Sequence, residues 1–489
     1  MNAGRGWRKA ALAAGLALAA PLVSAGPPQP CRIAGLSHEA LCGSVPRVLD
    51  PARPDGPGIE VHYLVVPALA RRKLPDPVFL LAGGPGQSAI GLAPAVMGLF
   101  ARLNNRRDIV FVDQRGTGRS APLDCDEPRA LSLAEQGDPE AQLRRLAACR
   151  VRLATLPYVR AESDLSFFTT TLAMQDLDAV REALGAPRIN LVGASYGTRA
   201  ALEYQRQFPQ AVRRSVLDGV APADMVLPVS AGIDAQAALD ALFAACAAEL
   251  ACAQAWPTPN SEWTTLLASL PRSVTVADAR TGRPETFTLT RDMLLAAVRA
   301  PLYAPSLAAA LPAAIHAAAA GRFEPLAGLA VVFAPRRGQQ IFTGMHFSVV
   351  CAEDAPHIAQ ATDPPGRDFG NGLAPLYERA CAAWPRAAVP EAFYRVERSD
   401  TPVLLLSGGL DPATPPRHAA RIAAALGPLA RQVVVPNAGH GVLGVGCVPD
   451  LLYRFIDAAQ AEDALAVDAG CVTAIPRPPA FVPLAEGVP

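Results

Sequence analysis

The 489-residue chain has no net formal charge, with 44 Lys and Arg against 44 Asp and Glu, and no run of like charges. Binding to nucleic acid or acidic lipid needs a concentrated basic face, so neither is an expected partner. Lysine is almost missing, at Lys9 and Lys73 only, and the accompanying Ala, Pro and Arg bias looks like codon usage rather than a functional tract. There is no Cys-x-x-Cys and no Cys/His grouping at metal-ligand spacing, so no metal and no cofactor is expected. Beyond the N-terminus, no stretch of 18 or more apolar residues lacks a charge, a Pro or another break, which argues against a membrane span in the mature chain. Internal repeats are missing too. A small molecule or a peptide is left as the expected partner.

The N-terminus has Arg5, Arg8 and Lys9, then an apolar run from Ala10 to Val23, then the small-residue site Val23-Ser24-Ala25. These are the zones of a secretory signal over residues 1–25, with cleavage expected between Ala25 and Gly26, so the segment is set apart from the fold. Cys31 follows Pro-Gln-Pro and has no lipid-attachment context. The expected location is secreted or periplasmic. An oxidising compartment suits the ten cysteines, which fall into near neighbours: Cys31/Cys42, Cys125/Cys149, Cys246/Cys252, Cys351/Cys381 and Cys447/Cys471. Connectivity does not follow from sequence alone, and sequential pairing is the expectation. Each bridge would contribute about 2–4 kcal/mol.

Ile59 to Leu69 begins with the alternation of a half-buried strand. Short apolar runs bounded by Gly, Pro or Asp follow at Val78–Leu81, Ile109–Val112, Ile189–Val192, Ser215–Leu217, Val403–Leu406 and Gln432–Val435. Such runs suit parallel strands buried on both faces. Helical patterns lie between several of them, the clearest being Met174–Leu184 with Gly185 behind it. The expected fold is α/β, a mostly parallel, doubly wound sheet with an inserted helical cap. Residues 26–220 and 396–489 should form the two parts of the sheet domain, and residues 221–395, rich in Ala and Leu, the cap. Helices are expected there at Ile233–Ala255, Arg291–Arg299 and Ser306–Ala320.

Gly193-Ala194-Ser195-Tyr196-Gly197 follows the strand Ile189–Val192 directly and precedes a helical pattern, Arg199 to Phe208. That context lets a strained turn lift the Ser195 hydroxyl above the sheet at a helix N-terminus, where a nucleophile meets amide donors. A serine hydroxyl needs a base and an orienting acid, here in the order Ser, Asp, His. Asp411 stands in the loop after Val403–Leu406, and His440 in the loop after Gln432–Val435. Both occupy the sheet edge that carries Ser195. Of seven histidines, His38, His62, His316, His346, His357 and His418 lack that position, and Asp400 precedes its strand. The oxyanion needs amide donors worth roughly 3–4 kcal/mol each. Tyr196 N–H is one, and Gly84 in the loop Ala82-Gly83-Gly84-Pro85-Gly86-Gln87-Ser88 is the chosen second.

Four segments together resemble the prolyl and tripeptidyl aminopeptidase branch of the α/β-hydrolases: Gly83-Gly84-Pro85-Gly86-Gln87-Ser88, Asp113-Gln114-Arg115-Gly116-Thr117-Gly118-Arg119-Ser120, Gly193 to Thr198, and Asp411-Pro412-Ala413-Thr414-Pro415. Prolyl members begin the oxyanion loop with His and carry Trp after the serine, whereas Ala82 and Tyr196 stand here, so the secreted tripeptidyl type is closer. The resemblance implies a serine exopeptidase acting on peptides with free amino termini. It implies supporting roles for Arg115, bracing the nucleophile loop, and for Thr414, steadying the acid loop. Cys351-Ala352-Glu353-Asp354 resembles a segment of relatives, which makes Glu353 the candidate for binding the substrate α-ammonium. Two readings compete: a carboxylesterase or lipase on the same scaffold, because a triad does not choose between amide and ester, and a non-catalytic binding protein.

Overall fold

The computed structural model describes residues 26–125, 131–332 and 340–482. The signal expected over residues 1–25 lies outside the described residues. Eleven strands form in chain order: β1 (Gln29–Cys31), β2 (Ala40–Val48), β3 (Gly58–Val66), β4 (Val78–Leu81), β5 (Ile109–Val112), β6 (Ile189–Ala194), β7 (Val212–Asp218), β8 (Arg272–Ala277), β9 (Pro284–Leu289), β10 (Val403–Gly408) and β11 (Ala430–Val435). Nine of them make one sheet in the order β1-β2-β3-β5-β4-β6-β7-β10-β11. β1, β2 and β3 run antiparallel to their neighbours, and β5-β4-β6-β7-β10-β11 are parallel throughout.

Parallel strands β4 and β5 are apolar and buried at every position because both faces are covered. Phe79, Leu81, Val110 and Leu191 enter a cluster on one side, and Val78, Leu80, Phe111 and Val192 enter another on the opposite side. Five helices matter for the site: α1 (Thr170–Ala183), α2 (Tyr196–Gln207), α3 (Leu227–Ala248), α4 (Arg291–Leu302) and α5 (Thr343–Glu353). α1 starts four residues before the expected Met174, because the Thr169 hydroxyl accepts from Leu172 N and caps the first turn. Its end agrees with the Gly185 signal, at φ +64°.

The single helix expected over Ile233–Ala255 is two. α3 ends at Glu249, whose ψ of 115° breaks the helical path, and a short helix, Leu250–Ala255, follows with Cys246 bridged to Cys252 across the break. α3 is long and apolar enough to cross a membrane by length and composition, yet 56% of its most apolar window is buried inside the protein. The chain between β7 and β10 also holds the antiparallel hairpin β8–β9, which the helical expectation missed. Its signal was present: Ser273-Val274-Thr275-Val276 alternates, with the valines buried.

This long insert does not pack as one block. Leu239, Phe243, Trp263, Leu294 and Leu311 build a core of its own, whereas Phe342, Met345, Phe347, Cys351 and Trp384 join the core on one face of the sheet. The ten cysteines form five bridges, Cys31–Cys42, Cys125–Cys149, Cys246–Cys252, Cys351–Cys381 and Cys447–Cys471. Five disulfides suit an extracellular or periplasmic protein.

Candidate active site

β4 has β5 on one side and β6 on the other, so consecutive parallel strands leave it in opposite directions across the sheet. Loops beyond the C-terminal ends of β4 and β6 therefore flank a crevice, where open α/β sheets place ligands. The β4 loop brings Gly83 and Gly84; the β6 loop brings Ser195. Ser195 has φ 55° and ψ −125°, a conformation that side-chain-bearing residues adopt only under constraint. The constraint comes from its glycines. A β-carbon on Gly193 would lie 2.4 Å from Gly197 O, and one on Gly197 would lie 2.1 Å from Leu81 O, so neither position admits a side chain. Ser195 N donates to Asp218 O at 2.8 Å, which ties the turn to the end of β7. Tyr196 is the first residue of α2, and its N–H therefore has no intrahelical acceptor.

The loops after β10 and β11 bring Asp411 and His440 together, with His440 Nδ1 2.8 Å from Asp411 Oδ2. The Thr414 hydroxyl donates to the same Oδ2 at 2.8 Å and lies 3.1 Å from His440 Nδ1. Asp411 Oδ1 accepts from the amides of Ala413 and Thr414. With its lone pairs so engaged, Asp411 fixes Nδ1 as the protonated nitrogen of His440 and leaves Nε2 unprotonated and able to accept a proton. Burial alone would push His440 down, but the charge and hydrogen bond of Asp411, with the Asp218 charge behind, leave the imidazole above its ordinary 6.5. Burial pushes Asp411 up; the His440 charge, that hydrogen bond and the two amides outweigh it and hold the carboxyl below its ordinary range. Asp218 accepts from Val442 N and Leu443 N and so anchors the turn beyond His440, while burial raises its carboxyl to about 6.

A family model described as alpha/beta hydrolase fold matches residues 76–255, and one described as TAP-like protein matches residues 367–468. The chain has the alpha/beta hydrolase fold. Serine protease Hip1 of Mycobacterium tuberculosis is 31% identical over 209 residues, 39% of this chain and 38% of that protein. Tripeptidyl aminopeptidase of Streptomyces lividans is 32% identical over 187 residues, 37% of this chain and 35% of that protein. The chain thus spans under two fifths of the length of these curated relatives. A solved serine hydrolase from Cycloclasticus zankles superposes on 85% of this chain and 98% of its own, at 11% identity and a TM-score of 0.37.

In this fold a cavity of about 190 Å³ lies over Ser195, with Gly84 and Thr414 in its wall. Gly84 has φ +112°, a backbone open to glycine and strained for other residues. Most of the remaining wall comes from the insert, including Leu227 and Ala231 of α3, Arg299 of α4, Tyr303 just beyond α4, His346 of α5, and Tyr377. Tyr303 also holds the base, since its carbonyl accepts from His440 N at 2.9 Å and its ring meets the imidazole edge-on at 5.2 Å. His346 Nδ1 faces the Pro85 carbonyl at 3.1 Å, which can only accept, so Nδ1 carries the proton and Nε2 accepts from the Tyr377 hydroxyl at 2.6 Å. Burial lowers the His346 pKa and favours this neutral form.

Two expected site residues, Glu353 and Arg115, stand outside both the cavity and the Asp411–His440 pair. Glu353 is fully enclosed, accepting from Thr170 N at 2.8 Å and from the Thr170 hydroxyl at 3.0 Å. That hydroxyl meets the Tyr196 hydroxyl at 2.6 Å, so Glu353 lies behind the residue that follows the nucleophile. Burial pushes its carboxyl up to about 7 against the nearby Arg199 charge. Arg115 forms a two-pronged pair with Asp176 of α1 at 2.7 and 2.8 Å and donates to Leu49 O and Phe167 O, which binds α1 to the sheet edge rather than contacting the Ser195 loop.

The sequence reading passed over Arg199. This buried residue of α2 pairs with Asp354 at 2.9 and 3.1 Å and donates to Pro222 O and Met225 O, at the start of the insert. Asp354 in turn accepts from Leu227 N at the head of α3. One guanidinium thus joins the nucleophile helix, the first residues of the insert and the end of α5.

Proposed function

We propose that this chain is an exported serine exopeptidase that cleaves short peptides from free amino termini, with Ser195 as nucleophile, His440 as base and Asp411 as orienting acid. The observation that carries the reading is the Asp411–Thr414–His440 hydrogen-bond group below the same cavity that Ser195 lines. His440 Nε2 takes the Ser195 proton as Oγ attacks the scissile carbonyl, and the amides of Tyr196 and Gly84 receive the oxyanion. The tetrahedral intermediate collapses as the imidazolium gives its proton to the leaving amine. Water then enters, gives its proton to His440 and attacks the acyl-enzyme, and the imidazolium returns that proton to Ser195 Oγ as the acyl bond breaks and the N-terminal fragment leaves. Export is read from residues 1–25, and the insert over residues 221–395 is read as the cap that sets fragment length.

A larger cavity of about 440 Å³ shares Ala231, Arg299, Tyr303 and Leu373 with the one over Ser195 and has Asp292 in its wall. Asp292 and Arg299 are seven residues apart on α4, about 10 Å along its axis. An extended tripeptide spans a similar length, at about 3.3–3.6 Å per residue. Asp292 is therefore the carboxylate positioned for the α-ammonium of a bound peptide. An esterase is the second reading, favoured by the lack of any carboxylate among the residues lining the cavity over Ser195.

A panel of tripeptidyl and prolyl amides, their N-acetylated forms and simple acyl esters separates the two. The peptidase reading expects N-acetylation to lower kcat/KM tenfold or more; unchanged turnover on acetylation rejects it in favour of the esterase. A fluorophosphonate probe that fails to label Ser195 in folded protein rejects both.

A further inference from the structure

The cavity over Ser195 has one permanently charged side chain in its wall, Arg299, and no carboxylate beside it among the described residues. Its Nη2 donates to the Tyr303 hydroxyl at 3.0 Å, and its guanidinium lies 5.4 Å from the centre of that ring. Its Nε is buried with no hydrogen-bond partner. An orphaned donor on a cation is costly and calls for an explanation. Placement in the last turn of α4 favours a positive charge through the helix dipole and accounts for the cation, but leaves Nε unsatisfied. Arg150 and Arg199 also have a buried Nε with no hydrogen-bond partner, but each of those cations faces a carboxylate, Glu162 and Asp354 respectively.

We propose that Arg299 determines specificity by taking a carboxylate of the substrate close to the scissile bond. The carboxylate is either the free C-terminus of a short peptide or an acidic side chain next to the cleaved position. The planar fork of a guanidinium suits such a group, because two parallel N–H donors meet two oxygens. Arg299 borders both cavities, so a peptide running from Asp292 toward Ser195 passes it. The same charge opposes protonation of His440. A bound carboxylate would offset that opposition as the imidazolium forms, so a substrate carrying one gains in the transition state as well as in binding. The proposal rests on the reading of Ser195 as the nucleophile of this site.

The test uses the full chain with Ser195→Ala, which removes turnover and leaves the cavity wall in place. Trialanine acid, trialanine amide and Ala-Ala-Glu amide are titrated by calorimetry. At least one carboxylate-bearing peptide should bind tenfold or more tighter than trialanine amide, as a charge-assisted hydrogen bond implies. Preference for trialanine acid identifies the C-terminus as the source, and preference for Ala-Ala-Glu amide identifies the side chain. Adding Arg299→Gln should abolish the preference, and Arg299→Lys should restore part of it. Equal binding of all three peptides to Ser195→Ala, or no binding of any at millimolar concentration, overturns the proposal. So does a preference that survives Arg299→Gln in a variant whose melting curve shows it folded. Fluorophosphonate labelling of the wild-type chain reports the nucleophile reading separately, since the titrations require no chemistry at residue 195.

Discussion

Ser195, Asp411 and His440 stand on short loops just past β6, β10 and β11, whereas Arg299, Tyr303, His346 and Tyr377 come from the insert between β7 and β10. The first group is held by backbone. Asp218 O fixes the Ser195 turn, Asp218 side-chain oxygens fix the turn after His440, and amides of the acid loop fix Asp411. The second group is held by side chains reaching across elements, as in the pairing of His346 with Tyr377. On the proposed reading, loops at strand ends would fix where bonds are broken, and the insert would determine which molecule reaches them. The two regions should fail in different ways when altered.

The largest effect should follow Asp411→Asn. The amides of Ala413 and Thr414 would hold the Asn oxygen at the Oδ1 position and turn its NH2 toward His440 Nδ1, which favours the wrong tautomer and leaves the imidazolium without a counter-charge, so kcat/KM should drop on the order of 10⁴-fold while the melting temperature changes little. The base must be neutral to act, so wild-type kcat/KM should rise with pH through a midpoint above 6.5, the side to which Asp411 moves His440. Removing the acid should shift that midpoint down. A loss below tenfold with an unmoved midpoint would break the assignment of chemistry to the sheet edge.

Arg199→Met tests the junction between the regions. It leaves Asp354 and Glu353 buried without their cation, which should cost about 3–5 kcal/mol of stability, read by denaturant titration. Unchanged stability with altered substrate preference would instead make Arg199 part of the insert's recognition surface. The smallest effect is expected from Thr414→Val, which removes one hydrogen bond to Asp411 Oδ2. A loss of about 1.5 kcal/mol, roughly tenfold in kcat/KM with KM unchanged, is expected.

The difference between the regions also explains what could be read in advance. Ser195 was legible because Gly193 and Gly197 are dictated by close backbone approach within five residues of chain, and His440 because it follows an apolar strand. Arg199 was not, since its partners Asp354 and Glu353 lie more than 150 residues away and nothing local marks the pairing. Glu353 was singled out from its neighbourhood in sequence, but the turn of α5 that carries it is buried against Thr170 and Arg199. Arg299 had no motif; its interest comes from what is absent around its Nε. Between these extremes, the hairpin β8–β9 carried a period-two signal that the Ala/Leu-rich surroundings overshadowed.

The hydrogen bond from His440 N to the Tyr303 carbonyl bears on any attempt to redesign this enzyme. Transplanting an insert from another scaffold to change the cavity wall would also replace the carbonyl on which His440, the proposed base, rests. A donor segment would have to present a carbonyl oxygen at the same point, or the graft would alter selectivity and turnover together. Libraries that vary α3 and α5 while leaving the Ala300–Ala304 backbone path intact would keep the two properties separable.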